Sequence, residues 1–216
     1  VHINPLVEAA ARRAIVPHEF VRMATFRSTP TSTLNLQVRP GGDMALMRGI
    51  AKAVFEEHRS DPKALDEEFL DRHTTGVDEY RALCERTPWP ELARQTGLAE
   101  ADIRRAARVY SRSDRTLMSW CLGVTQHEHG VDTVREIVNV LLLRGNLGRE
   151  GTGPSPVRGH SNVQGNRTCG IDHRPPAAFL DRLADVCGVD PPRHHGRDTV
   201  ATIAGMHDGS VKVFFG

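Results

Sequence analysis

The sequence lacks an excess of charge of either sign. Its 216 residues carry 28 Lys and Arg against 27 Asp and Glu, a formal net charge of +1 with histidine neutral. A general nucleic-acid binder would show a clear basic excess, so that class is set aside, while a local basic pocket for phosphates stays open. Cysteine is scarce, with four residues at positions 84, 121, 169 and 187. No two form a CxxC pair and none has a histidine at structural-zinc spacing, which excludes the common zinc modules. A chain of this size needs no disulfides for its core, and reduced thiols fit a cytoplasmic setting. The longest apolar stretch, Ile137 to Leu143, is interrupted by Asn139 and falls far short of the roughly 20 residues of a membrane span. Val1-His2-Ile3-Asn4-Pro5 has neither the basic nor the apolar part of a secretory signal. There is no GxSxG elbow, no Walker loop and no GxGxxG.

What is present is ordinary soluble material, 39% hydrophobic and 25% charged. Val1 to Pro5 reads as the tail of a strand, and Val211 to Phe215 as a strand with a glycine turn starting at Gly216, so a piece of a longer protein is expected. Residues 6 to 25 read as short helical pieces, and Leu36 to Val38 as a short strand. After the Pro40-Gly41-Gly42 turn, a helix is predicted from Asp43, with Asp43 in a capping role. Leu46, Met47, Ile50, Val54 and Phe55 recur along it at helical spacing. Amphipathic helices follow between Asp61 and Glu85, until Pro88-Trp89-Pro90 breaks the run. Helices are predicted over Leu98–Arg112, Val131–Leu143, Ala177–Val186 and Thr199–His207, with a buried strand over Thr116–Leu122. The alternation of strands with helices gives an α/β fold with a mainly parallel sheet flanked by helices.

Three segments could carry chemistry. Pro40-Gly41-Gly42-Asp43 puts two glycines and an acid at a helix start, where free N–H groups attract phosphate and a carboxylate can accept from a ribose or a guanine edge. An ordinary turn with a capping aspartate reads the same tetrapeptide as well. Gly123 to Gln126 follows a strand at its carboxyl end, where α/β sheets place ligands. The longest segment runs from Arg144 to Gly165 and gathers Arg158, His160, Asn162 and Gln164 with almost nothing apolar between them. A loop of that length is uncommon in a compact domain unless it is functional, and arginine suits a carboxylate, phosphate or oxyanion. The eleven histidines include His127 and His129, two apart, and the adjacent His194 and His195. Neither pattern matches a metal helix or finger, and only His160 stands out, through its neighbours. Cys121 reads as a small buried hydrophobe.

Taken together, Trp120 to Gln126, Leu143-Arg144-Gly145-Asn146-Leu147-Gly148, and Pro156 to Gly165 resemble the molybdopterin oxidoreductase family. Formate dehydrogenase alpha subunits and their relatives are the nearest likeness. Thr96-Gly97 through Ile103 to Ala106-Ala107 matches that family's TG-x-x-x-x-x-I-x-x-A-A segment, and Pro40 to Ala45 its PG-x-D-x-A turn. The resemblance implies a Rossmann-like dinucleotide-binding domain of a larger multidomain enzyme, with residues 1–170 as the central α/β molybdopterin guanine dinucleotide-binding domain. Residues 171–216 would be the connection and the start of a following α/β segment. It implies bis(molybdopterin guanine dinucleotide) with Mo or W, and possible iron–sulfur chemistry outside this chain. Gly41, Gly42 and Asp43 would meet the guanosine end of one dinucleotide. Gly123, Gln126, Asn162 and Gln164 would line the cofactor, and Arg158 with His160 would stand beside metal and substrate. Metal ligands are expected outside these residues. The implied partners are a small-molecule substrate, the missing domains of the same polypeptide and an electron-transfer subunit, with no nucleic acid and no membrane span.

The sequence departs from that pattern in two places. Formate dehydrogenases carry glutamine where this chain has His160, so the substrate stays open. Asn4-Pro5-Leu6 stands where many members have Asp-Pro-Arg. A non-catalytic α/β nucleotide-binding or regulatory module is the alternative reading. A nucleotide-binding transferase would need a metal-binding pair of carboxylates, which the sequence does not offer.

Overall fold

Leu46, Ile50 and Val54 recur every fourth residue, and all three are fully or almost fully buried. They mark the inner stripe of the helix that organises the fold, since residues four apart share one helical face. The structure, a computed structural model, describes residues 1–215, which fall into two compact units divided after Val157. In the first unit β1 (His2–Ile3), α1 (Ala9–Arg12), β2 (Arg13–Ala14), α2 (Phe20–Ala24), β3 (Thr29–Pro30) and β4 (Asn35–Leu36) lead to α3 (Asp43–His58). Helices α4 (Glu67–His73), α5 (Val77–Arg86), α6 (Trp89–Thr96) and α7 (Glu100–Ser111) follow. Then come β5 (Leu117–Trp120), α8 (Leu122–Thr125), α9 (Gly130–Leu142) and β6 (Gly153–Pro156). The second unit holds α10 (Val163–Thr168), α11 (Ala177–Cys187) and α12 (Thr199–His207). Among the described residues no helix is long and apolar enough to cross a membrane.

Helix α3 is the centre of the first unit, packed on α5, α6, α7 and α9. Glu136 and Asn146 are among the polar residues buried in this unit. Glu136 on α9 is 4% exposed and accepts from Arg48 Nε at 2.9 Å and from Tyr80 Oη at 2.6 Å, so the buried carboxylate is both paired and hydrogen-bonded. Asn146 is fully buried. Its Oδ1 accepts from Thr116 N–H at 3.1 Å and its Nδ2 donates to Tyr110 Oη at 3.3 Å. It sits just after the end of α9, where Gly145 takes φ +57. Gly145 N–H bonds Leu142 O and Asn146 N–H bonds Leu141 O, both at 3.0 Å, the paired closing bonds of a Schellman end. The chain stop after α9 therefore aims Asn146 at the start of β5.

The fold is mixed α/β, but the sheet is in pieces. β1 pairs with β4 and β5 with β6, both parallel, while β2 pairs with β3 antiparallel. The expectation of one mainly parallel sheet is corrected to three two-stranded sheets among the described residues. Other expectations are corrected too. The strand over Thr116–Leu122 is shorter and half-covered, with Leu117 56% exposed, because no described residue covers its outer side. Pro88-Trp89-Pro90 opens α6, with proline in the first turn, where the missing N–H costs no helical bond. The long segment after Gly145 is not structureless, since it contains β6 and α10. Val211 to Phe215 forms no strand, since no neighbouring strand pairs its backbone. The turn expected at Gly216 lies outside the described residues.

Candidate functional site

Arg39 to Gly42 makes a tight turn closed by Gly42 N–H on Arg39 O at 2.8 Å. Pro40 supplies the fixed φ of the second position and Gly41 the positive φ, +81, of the third, as a type II turn requires. Gly42 is needed by packing, since a Cβ there would lie 2.8 Å from Gln95 O and 3.0 Å from Thr96 Cα. Asp43 comes next. It does not cap the helix as expected: Gly42 holds the cap position without any side-chain bond, and Asp43 is the first helical residue. An acid there still suits the helix dipole. Burial raises the Asp43 carboxyl above its usual range, while its own backbone N–H and the charge of nearby His127 pull the other way.

Asp43 lines a cavity of about 660 Å³ in the first unit, within the usual range of ligand sites, roughly 300–1,000 Å³. Asn4 and Pro5 after β1, and Cys121, Gly123 and His127 after β5, stand around the same cavity. The lining runs along both strands, from Val1 to Pro5 and from Arg115 to Cys121, and includes residues just past their carboxyl ends, the position where open α/β sheets bind ligands. Gly123 differs from the other two glycines. Its φ is not positive and a Cβ built on it meets nothing within 4 Å. Nothing in the chain's own packing requires glycine there, whereas a ligand pressed against the backbone would. Cys121, expected to be buried, is exposed, and it and His127 line the cavity, which spacing alone did not signal. Gln126 ends α8 and is exposed beside the cavity residues without lining it.

Arg158, His160, Asn162 and Gln164 belong to the second unit, and all four are exposed. Asn162 takes φ +57 at the start of α10, a left-handed conformation that asparagine tolerates best after glycine. Its side chain lies against Gly165, where any Cβ would collide with it. Gln164 O accepts from Thr168 Oγ1 at 2.9 Å. Among the described residues no three His, Cys, Asp or Glu side chains are grouped to hold a metal ion. The structure therefore brings Asp43 and Gly123 to one cavity, and keeps the four polar residues of the later segment together on a short stretch of their own.

The run Arg144 to Arg149 at the head of the long segment has a structural role instead. Arg144 donates to the carbonyls of Ala64 and Ser113 at 3.2 and 3.3 Å. Arg149 donates to Asp114 O and to Asn146 Oδ1, both at 3.3 Å. These residues tie the start of β5 to the helical layer.

A family model described as molybdopterin oxidoreductase matches residues 3–215, and the chain belongs to that family. Membership implies a molybdopterin cofactor carrying Mo or W, and the cavity, with the open backbone at Gly123 and polar side chains of Asn4, Asp43 and His127, offers groups and room that fit such a cofactor. The chain is 42% identical over 215 residues to the "uncharacterized oxidoreductase Rv2900c" of Mycobacterium tuberculosis, covering 99% of this chain and 28% of that protein. It is 34% identical over 141 residues to the alpha subunit of F420-dependent formate dehydrogenase 2 of Methanococcus maripaludis, covering 65% of this chain and 20% of that subunit. Acetylene hydratase from Pelobacter acetylenicus has a similar fold, with a TM-score of 0.51 and 20% identity over 56% of this chain and 16% of that one. The chain spans less than a third of the length of these curated relatives.

Proposed function

We propose that this chain is the cofactor-holding part of a formate-dehydrogenase-like oxidoreductase that oxidises or reduces a small substrate by two electrons at Mo or W. Residues 1–170 serve as a Rossmann-like domain for molybdopterin guanine dinucleotide, and residues 171–216 connect to the next α/β segment. The observation that carries the proposal is that Asp43 and Gly123 line one cavity together with residues that follow β1 and β5, in a chain whose residues 3–215 match the family. The same match favours an enzyme over a non-catalytic nucleotide-binding module.

The residues divide the work. The Asp43 carboxylate accepts from the N–H groups of a guanine edge, and the Gly41-Gly42 backbone lies alongside the guanosine. Gly123 lets the backbone approach the cofactor, and the Gln126, Asn162 and Gln164 amides donate to it and accept from it. When bound, the metal–pterin group supplies the electron-pair chemistry. Arg158 orients a small anionic substrate through its planar fork and favours the charge that develops as it reacts. His160 holds or moves the proton. Bis(molybdopterin guanine dinucleotide), an iron–sulfur cluster elsewhere in the polypeptide, an electron-transfer subunit and a cytoplasmic location complete the proposal.

Arg158→Ala in the full-length protein tests it. Turnover of formate or another small carboxylate with a dye acceptor should fall roughly 100- to 1,000-fold, as for loss of one transition-state donor, while metal content stays near that of the parent. Unchanged turnover would remove Arg158 from the site.

A further inference from the structure

Residues 4–34 connect the two parallel strands β1 and β4. A crossover of this kind is ordinarily a helix that lays its apolar face on the sheet. Here the helices α1 and α2 have only four and five residues, none of them buried, and no residue from Leu6 to Thr33 is buried. The stretch is nonetheless tied to itself. β2 pairs with β3. Arg13 Nε donates to Ser28 Oγ at 2.7 Å, and its Nη2 to Ser28 O at 3.1 Å. Thr31 Oγ1 donates to Ala10 O at 2.9 Å and Ser32 Oγ to Ala11 O at 2.7 Å. The result is an arm closed by its own hydrogen bonds and built without a core.

What the arm displays is apolar and basic. Phe20 is 74% exposed, Val21 68% and Phe26 81%, and Leu6, Ile15 and Met23 are exposed as well. Phe26 takes φ +52, an uncommon conformation for a bulky side chain, and strain of this kind gathers at binding sites. Contiguous apolar display marks an interaction surface, and Phe, Met and Arg are enriched at the centres of such surfaces. Residues 6–33 hold four arginines against two glutamates, with no lysine and no aspartate, in a chain whose net charge is only +1. Glu19 is taken up by Arg22 at 2.6 Å, so the surplus charge sits on Arg12, Arg13 and Arg27 with Glu8 alone to offset it.

We propose that this arm is the docking surface for a separate protein whose face is acidic around an apolar centre. Carboxylates of the partner meet Arg12 and Arg27, and an apolar pocket takes the Phe20 and Phe26 rings. Opposite charge speeds the encounter and fixes the register, while buried aromatic anchors set how long the pair holds. A second copy docking arm to arm would set arginines against arginines, since such a contact uses the same patch twice. A lipid surface is met by an amphipathic helix of several turns, and α1 and α2 have about one turn each. No residue from Leu6 to Thr33 lines the cavity at Asp43 and Gly123, so the arm and the cofactor reading stand or fall separately.

Photo-cross-linking of the full-length protein, in the cells that make it, tests the arm. A photoreactive phenylalanine analogue at position 20 or 26 should capture a different polypeptide, at a segment that holds more Asp and Glu than Lys and Arg. With that polypeptide purified, the double variant Arg12→Glu, Arg27→Glu should bind it about 10-fold or more weakly at low salt, and the parent's affinity should fall as salt rises. Phe20→Ser should weaken binding by a similar factor. The denaturation midpoint should not move in any of these variants, because the altered side chains are exposed. Cross-links confined to the protein's own polypeptide, to a second copy or to lipid would overturn the proposal. So would the capture of nothing, or a captured partner whose binding ignores the arginine reversals. A midpoint lowered by the variants would overturn it too, since the arm would then serve the fold.

Discussion

Asp43 is a carboxyl that its place in the fold makes harder to ionise. Its neighbours bury it without giving it a strong cation, so the carboxyl is raised above 3.8. The ionised form is then less favourable in the folded than in the unfolded protein. That cost is absent below the unfolded value and fully present above the folded one. Asp43→Asn should therefore raise the denaturation midpoint of cofactor-free protein at neutral pH, with the gain shrinking as pH falls toward 3.8. The same variant should retain less guanine nucleotide. A lower midpoint at neutral pH would mean that the carboxylate serves folding alone. The sequence marked Asp43 through its place after two glycines. It could not separate their roles, because Gly41 answers to a turn, Gly42 to the end of α6, and Gly123 to nothing in the chain. Nor could it show that Arg144 and Asn146 are clasps, since only the fold brings Thr116 and Tyr110 to them.

Among the elements, helices were more legible than strands: β1, β4 and β5 fall on stretches read as strands, while β2, β3 and β6 were not foreseen. Helices α7, α9, α11 and α12 and the start of α3 came out within a residue or two of the stretches read for them, because helical hydrogen bonds are local, and α3 and α7 carry the periodic apolar stripe as well. Strands of two to four residues are too short for an alternation to register, and their existence depends on a partner far away in sequence. The expected strand at Val211–Phe215 failed for that reason, and β5 came out half-covered. The end of α9 is the element on which most else depends, since Gly145 both stops the helix and delivers Asn146 to β5. Gly145→Ala should cost at least about 1 kcal/mol, the penalty of the left-handed conformation for a residue with a Cβ. Contact of the new methyl with Asp66 Oδ2, 2.5 Å away, adds to it. Urea denaturation reads the loss, and an unchanged midpoint would show that the helix end tolerates another geometry.

For the molecule as a whole, the family was legible where no single motif was. Each short segment allowed an ordinary reading, and their order along the chain carried the resemblance, which the match over residues 3–215 bears out. The division into two units places Asp43 and Gly123 in one and Arg158 to Gln164 in the other. The central claim is that this polypeptide carries a molybdopterin guanine dinucleotide cofactor on these residues. The direct measurement is metal and acid-released nucleotide analysis of the full-length protein, purified from cells supplied with molybdate and tungstate. The account expects stoichiometric Mo or W accompanied by guanine nucleotide, with the nucleotide depleted in Asp43→Asn. A folded protein that carries neither metal nor guanine nucleotide would contradict it.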